Sequence, residues 1–179
     1  MARNRMTLPT VIMTILPAVL IVAAFFDLAT YTIPNILPGA MLMLFLVFVL
    51  AMAVSGHGLS WSEVYPHLLS GGFGLGIGMA MFALRWVGGG DAKLFAMACL
   101  WLGWEAMLTY ALLASILGGV LTFGLLALRQ WPLPRLLAEQ PWLLRLADRE
   151  FGVPYGVALA LAAISILPNT EIFRLAATN

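Results

Sequence analysis

Two aspartates, Asp27 and Asp91, stand at the ends of long apolar segments in a chain with few charged residues. Two carboxyl groups that are held close together cannot both ionise easily, so they share one proton. The charged member can then take a proton from water, and the protonated member can polarise a peptide carbonyl. Such a pair predicts acid–base hydrolysis of a peptide bond without a covalent intermediate.

The composition indicates that membrane helices position these acids. Hydrophobic residues make up 63% of the 179 residues and charged residues 9%, whereas about a quarter of a soluble domain is charged. Helices satisfy their backbone groups inside a bilayer. We therefore expect an all-α, polytopic bundle in the lipid bilayer, with residues 1–179 as a single transmembrane domain. The net charge of +1 and the lack of a basic run predict no nucleic-acid partner.

Six apolar segments are candidates for membrane spans. The fourth is short and is expected to be tilted or partly sunken. The first could be a signal peptide, but its apolar run is long, so we expect a retained helix. The segments are residues 8–26, 36–54, 68–87, 92–104, 106–128 and 153–173.

Two polar connections interrupt these segments. Residues 55–67 are expected to form a loop. Residues 129–152 are expected to form a cytoplasmic or interfacial loop, within which residues 141–152 start with a proline, end with a glycine and resemble a short amphipathic helix.

Small residues spaced four apart predict close helix packing, because they let helix backbones approach each other. The third segment carries Gly72 with Gly76 and Gly74 with Gly78, and the fifth carries Ser115 with Gly119. Packing is the favoured interpretation of the third segment, and a flexible gate is the alternative. The single cysteine, Cys99, is expected to be a core residue.

The two aspartates are expected on the same membrane face, since two crossings separate Asp27 from Asp91. The positive-inside rule indicates which face this is. Six basic residues fall on the aspartate side and three on the other, which favours the cytoplasm. The six are Arg85, Lys93, Arg129, Arg135, Arg145 and Arg149, and the three are Arg3, Arg5 and Arg174.

The three glycines before Asp91 have two interpretations. Gly88, Gly89 and Gly90 have no side chains to obstruct the carboxylate and permit unusual backbone conformations, so an extended substrate strand could approach it. Alternatively, Asp91 caps a helix beginning at Ala92, and the glycines are an ordinary turn.

Two further alternatives remain open in the sequence. Lys93 is either an electrostatic partner of Asp91 or a snorkelling interface residue, and spacing favours the second role. Asp27 taken alone could be an interfacial residue near a helix end.

Three motifs resemble the type IV prepilin peptidases, a family of GxGD membrane aspartic peptidases. "GGGDAKL" (88–94) is similar to the G-x-G-D-x-K-L signature, and "DLATYTIPN" (27–35) is similar to the first-aspartate motif. "VPYGVAL" (153–159) is similar to the P-Y-G element near the last span. The chain length resembles the short peptidases of Tad/Flp pilus systems, which lack the methyltransferase segment.

The resemblance implies an activity and its site. Asp27 and Asp91 would be the catalytic pair, cutting prepilins and pseudopilins at the cytoplasmic edge of their hydrophobic helix, in the bacterial inner membrane. It implies no metal or other cofactor, and cleavage without N-methylation. The remaining motif matches are Gly88, Gly89, Gly90, Lys93, Pro34, Asn35, Pro154, Tyr155 and Gly156. The loop after Asp27 departs from the family's usually basic pattern, because "LATYT" is uncharged.

Two other classes of function compete with a peptidase. One is a catalytically silent membrane scaffold of a pilus or secretion machine, against which the intact pair of acids argues. The other is an ion or solute carrier, in which the acids would form a relay. The acids lie near span ends, and no repeated pair of broken helices is visible. The sequence leaves the oligomeric state open.

Overall fold

The structure is a computed structural model that describes residues 7–54, 58–130, 140–148 and 151–178. Within these ranges the chain forms eight α-helices and a 3-10 turn, with no strand, which confirms the all-α prediction. The helices are α1 (Leu8–Thr30), α2 (Ile36–Val54), α3 (Trp61–Ala83), α4 (Gly89–Leu102), α5 (Trp104–Leu128), α6 (Pro141–Ala147), α7 (Tyr155–Ile166) and α8 (Glu171–Thr178), and the 3-10 turn is Leu167–Asn169.

Helices α1, α2 and α5 are each long and apolar enough to cross a membrane. Helix α3 matches α1 in length at 23 residues but is richer in glycine. Helix α4 has 14 residues and rises about 21 Å, less than the roughly 30 Å of a bilayer's hydrocarbon core. The fourth segment is therefore a helix shorter than a complete crossing requires, and its depth in the bilayer stays a prediction.

Helix α4 lies at the centre of the bundle, where it contacts α2, α3, α5 and α7. Most of its side chains are buried, including that of Cys99. The indole nitrogen of Trp101 donates a hydrogen bond to the Met41 carbonyl of α2 at 3.0 Å, and its ring meets Phe45 edge-on. Because other helices surround α4, little of its backbone faces lipid, even though the helix is short.

Glycines form the seam between α3 and α4, the most extensive helix contact of the described residues. A Cβ atom on Gly74 would lie 3.0 Å from Cys99, and one on Gly78 would lie 2.9 Å from the Ala92 carbonyl oxygen. The same test finds open space beside Gly72 and Gly76. The packing prediction is confirmed for Gly74 and Gly78 only.

The predicted loop 55–67 is wrong over residues 61–67, which belong to α3. A capping interaction starts this helix, since the Ser60 amide donates to Glu63 Oε2 at 2.6 Å. Helix α3 also ends at Ala83, before the predicted limit of residue 87, and Arg85 follows in a left-handed conformation with φ 60°. Residues 55–57 lie outside the described residues.

The predicted last span, residues 153–173, is broken in the structure. Helix α7 ends at Ile166, and Pro168 lies in the 3-10 turn, where its missing amide interrupts the helical pattern. The Thr170 hydroxyl donates to the Leu167 carbonyl at 2.6 Å, and α8 begins at the next residue. The short helix expected within 141–152 is found as α6, whereas residues 131–139 and 149–150 lie outside the described residues.

The glycine seam yields a stability prediction with an internal control. Gly78→Ala places a methyl group against the α4 backbone, so we expect it to lower the free energy of unfolding by roughly 1–3 kcal/mol. Gly76→Ala, on the same helix but beside open space, is expected to be neutral or slightly stabilising. Thermal unfolding in detergent compares the two, and equal melting temperatures would contradict the seam.

Candidate active site

Asp27 is buried at the C-terminal end of α1, with 4% of its surface exposed. Its Oδ2 accepts a hydrogen bond from the Gly156 amide at 2.6 Å. Gly156 lies in the first turn of α7, where amides have no partner within the helix and the helix dipole favours a negative group. The Asp27 carboxyl therefore ties the end of α1 to the start of α7.

Asp91 lies in the first turn of α4, and its Oδ2 accepts a hydrogen bond from the Gly88 amide at 3.2 Å. The alternative in which Asp91 caps a helix is confirmed in its role but wrong in the helix start, because α4 begins at Gly89 with Gly88 as its N-cap. Asp91 caps the helix from its third position, by bonding back to the Gly88 amide. Its Oδ1 is buried and has no hydrogen-bond partner among the described residues, so one oxygen remains for other chemistry.

The two aspartates lie close to each other and to Gly156. The Gly156 amide donates its hydrogen bond to Asp27 and lies near the Asp91 carboxyl, and the two carboxyl groups are close enough to repel each other when both are charged. The structure thus brings both acids to the same end of the bundle, as the count of crossings predicted.

Gly156 permits this meeting because it has no side chain. A Cβ atom there would lie 2.8 Å from the Asp27 Oδ2 atom and 2.7 Å from the Ile33 Cδ1 atom. Both distances are far below ordinary contact. The Pro-Tyr-Gly element, to which the sequence assigned no definite role, supplies the amide that holds Asp27.

Ile33 is a site residue that the sequence analysis missed. It follows Asp27 in the loop before Pro34, yet only 7% of its surface is exposed. It lies between Gly156 and Gly90, since a Cβ atom on Gly90 would come within 2.9 Å of the Ile33 Cβ atom. The signal that could have found Ile33 is its position as an apolar residue inside the "IPN" motif.

Lys93 and Asn35 bind each other, which the sequence did not predict. The Lys93 Nζ donates to Asn35 Oδ1 at 2.7 Å, so the lysine fastens the loop after Asp27 to the start of α4. In the same loop, the Pro34 carbonyl accepts the Leu37 amide at the start of α2. Neither interpretation of Lys93 from the sequence, an electrostatic partner of Asp91 or a snorkelling residue, included this contact with Asn35.

The three glycines before Asp91 have different surroundings. A Cβ atom on Gly88 would lie 3.0 Å from Asp91 Oδ2, and one on Gly89 would lie 3.3 Å from the exposed ring of Phe82. The expectation of unusual backbone conformations is wrong for this stretch, because Gly103 is the one described glycine with positive φ. The absence of a side chain at Gly88 leaves room for the Asp91 carboxylate, and its absence at Gly90 leaves room for Ile33.

Pro154 and Tyr155 fix α7 in place. Pro154 is buried at the N-cap of α7. The Tyr155 ring lies against α5, where a Cβ atom on Gly118 would be 3.0 Å away, and its hydroxyl is 3.3 Å from the Thr122 hydroxyl oxygen. This packing sets where the Gly156 amide stands.

Several contacts hold α6 and the nearby residues Phe151 and Gly152 against the C-terminal ends of α1 and α5. Tyr31, in a left-handed conformation with φ 55°, lies against the Phe151 ring and donates to the Arg145 carbonyl at 3.4 Å. Burial raises the pKa of the Tyr31 phenol, which keeps its proton available for donation. Arg129 donates to the Leu146 and Gly152 carbonyls, both at 2.9 Å.

A cavity of about 680 Å³ opens beside Asp91. The α3–α4 turn forms one wall, including Arg85 and Gly88, and Gly152 and Tyr155 form the other. Over residues 7–54, 58–130, 140–148 and 151–178, no three His, Cys, Asp or Glu side chains cluster as metal ligands do. Among the described residues, Asp91 and Arg85 are the charged side chains that line this cavity, and Asp27 lies behind Asp91, outside the lining.

Comparison with known proteins assigns a family to this arrangement. The family model described as the type IV leader peptidase family matches residues 14–123, which is more than half of the chain. The matched region includes Asp27, Asp91 and the two motifs around them, and ends before the Pro-Tyr-Gly element. No curated protein and no solved structure matches the chain.

The glycines before Asp91 yield a prediction in which two neighbouring positions differ in how well they tolerate an added methyl group. Gly90→Ala forces a methyl group against Ile33, so we expect it to lower the free energy of unfolding by roughly 1–3 kcal/mol. Gly89→Ala meets only the edge of the exposed Phe82 ring and is expected to change stability by less than about 1 kcal/mol. Thermal unfolding of both variants in detergent is the measurement, and a larger loss for Gly89→Ala would contradict the described packing.

Proposed function

Because the chain belongs to the type IV leader peptidase family, we propose that it is an aspartic membrane endopeptidase that removes the basic leader from prepilins and pseudopilins. The observation that carries this proposal is that the Asp27 and Asp91 carboxyl groups lie close together beside the start of α7, where the Gly156 amide holds Asp27. Family membership supports a peptidase, and the pair of acids supplies the groups that hydrolysis needs.

The proposed mechanism uses one proton shared by the two acids. The ionised carboxylate takes a proton from a water molecule, whose oxygen attacks the carbonyl carbon of the scissile peptide bond. The protonated carboxyl donates its proton toward the carbonyl oxygen as the tetrahedral intermediate forms. Collapse of this intermediate breaks the C–N bond, and the leaving nitrogen takes a proton from the pair. The two products are a new carboxylate and a new amine.

The hydrogen bonds of the two aspartates indicate which of their oxygen atoms is available to water or substrate in this mechanism. The Asp27 Oδ2 atom is held by the Gly156 amide, and the Asp91 Oδ2 atom by the Gly88 amide. The Asp91 Oδ1 atom has no partner among the described residues, so we assign it to the attacking water or the substrate carbonyl. The cavity beside Asp91 gives an extended peptide a place to lie.

The distribution of basic residues supports a site at the cytoplasmic face of the bacterial inner membrane. Lys93, Arg129 and Arg145 belong to the segments gathered around the aspartates. Arg174 belongs to α8, which lies against the start of α1, where the Thr10 hydroxyl donates to the Ala176 carbonyl. The excess of positive charge at the aspartate end fits a cytoplasmic location.

The substrate assignment rests on the motif resemblance. The three motifs are similar to those of type IV prepilin peptidases, which favours prepilins and pseudopilins as substrates.

Removing either acid provides the direct test of this proposal. Asp27→Asn and Asp91→Asn each take one ionisable group from the pair, so we expect each to slow leader removal at least about 100-fold. Co-expression with a prepilin and separation of precursor from mature protein on a gel measures processing. Immunoblotting of membranes checks that each variant accumulates.

Glu105→Gln is the matched control, since it removes an exposed carboxylate from the first turn of α5 and should process normally. Full processing by either Asn variant would reject the proposed pair. Absence of processing by the unaltered protein, with prepilins of several classes, would instead favour the scaffold alternative.

A further inference from the structure

A groove of about 870 Å³ lies between α3 and α5, with α4 and α7 at its base. On α5 it extends from Trp104 to Gly119, which corresponds to about 22 Å along the helix axis. Asp91 lines it near one end, and Trp104 meets the Phe73 ring at the other. The groove therefore covers most of the depth of a bilayer and reaches a proposed catalytic acid.

The walls of this groove suit an apolar occupant. Asp91 is the single charged side chain among the described residues that line it, and most of the others are aliphatic or aromatic. The Ser115 hydroxyl donates to the Ala111 carbonyl of its own helix at 2.7 Å, so its one proton is already used. A polar peptide would find few partners along this surface.

The small residues of α5 indicate that the occupant is a helix. Ser115 and Gly119 form a small-xxx-small pair, which allows a second helix backbone to approach closely. Apart from its chain neighbours and the adjacent backbone of α5, no atom of the described chain stands within 4 Å of a Cβ atom placed on Gly119. Its neighbour Gly118 is packed against Tyr155. On α5, Gly118 thus packs within the bundle, and Gly119 faces the groove.

The groove continues into the cavity beside Asp91. Both are lined by Trp86, Val87, Asp91 and Tyr155. Beyond these shared residues the cavity is lined by Arg85, by the glycines Gly88 and Gly152, and by Phe82, Ala83 and Val153. One ligand that crosses from the groove to the cavity must pass Asp91, and it meets there a second charged side chain, Arg85, which the groove lacks.

We propose that the groove between α3 and α5 binds the apolar helix of the peptide substrate, with the segment that precedes this helix extended in the cavity beside Asp91. The inference rests on the proposed function and adds to it the surface that selects the substrate. It places the scissile bond at the junction of the groove and the cavity. An acyl chain of a lipid would fit the apolar walls but would not need the open face of Gly119.

Two glycine substitutions on α5 test this assignment. Gly119→Phe fills the groove, whereas Gly124→Phe adds the same ring at an exposed glycine of that helix which also has open space and does not line the groove. Each variant is assayed with an intact prepilin and with a synthetic peptide that spans the same cleavage junction and stops before the apolar helix. Thermal unfolding checks that both variants fold.

We expect Gly119→Phe to slow cleavage of the intact prepilin by at least about tenfold, the cost of roughly 1.4 kcal/mol of lost binding. Cleavage of the short peptide should stay unchanged in Gly119→Phe, and Gly124→Phe should match the unaltered protein with both substrates. Equal slowing of both substrates by Gly119→Phe, or no slowing of either, would overturn the groove assignment. Neither outcome would affect the conclusion drawn from Asp27→Asn and Asp91→Asn.

A cross-linking measurement decides the assignment independently of cleavage. Gly119→Cys in the Asp91→Asn background should form a cross-link to a cysteine placed in the apolar helix of the prepilin, and Gly124→Cys should not. The native Cys99 is buried and adds little background. Absence of a cross-link at Gly119→Cys would reject the groove as the binding surface, even if the unaltered protein cleaved no prepilin.

Discussion

The Gly156 amide at the start of α7 is the contact on which the arrangement of the site depends. A buried carboxyl group is costly unless it has hydrogen-bond partners, and the unpaired amides of a helix N-terminus are such partners. The Gly156 amide donates to Asp27 and lies near Asp91, so the end of α1, the start of α4 and the start of α7 converge. Ile33 fills the space that remains, packed between Gly156 and Gly90.

The sequence predicted the acids and their common location because the signals for both are local. The lengths of the apolar runs, and the glycines and prolines between them, define the segments. Counting the membrane crossings then places Asp27 and Asp91 on the same face. The contacts that fix their geometry could not be predicted, since they join distant parts of the chain. Lys93 binds Asn35, 58 positions away, and Gly156 reaches Asp27 across 129 positions. No residue pattern along a single helix contains that information.

Errors in the predicted helix boundaries have a different origin. The Ser60–Glu63 capping pair at the start of α3 and Pro168 in the broken last segment were visible as local signals. Average hydropathy outweighed them, because it measures whether a segment is apolar and does not report where the backbone changes direction. Glycines showed a similar ambiguity, since Gly74 and Gly76 look alike in sequence, yet one packs against α4 and the other faces open space.

The pH dependence of leader removal tests the central claim, that the two carboxyl groups act as one acid–base unit, most directly. A pair that needs one charged and one protonated member predicts a bell-shaped profile of kcat/KM, whose two limbs belong to the pair as a whole. The measurement uses the unaltered enzyme and a purified prepilin across the range in which the protein stays folded. A profile with a single ionisation, or one that stays flat, would contradict joint action of Asp27 and Asp91.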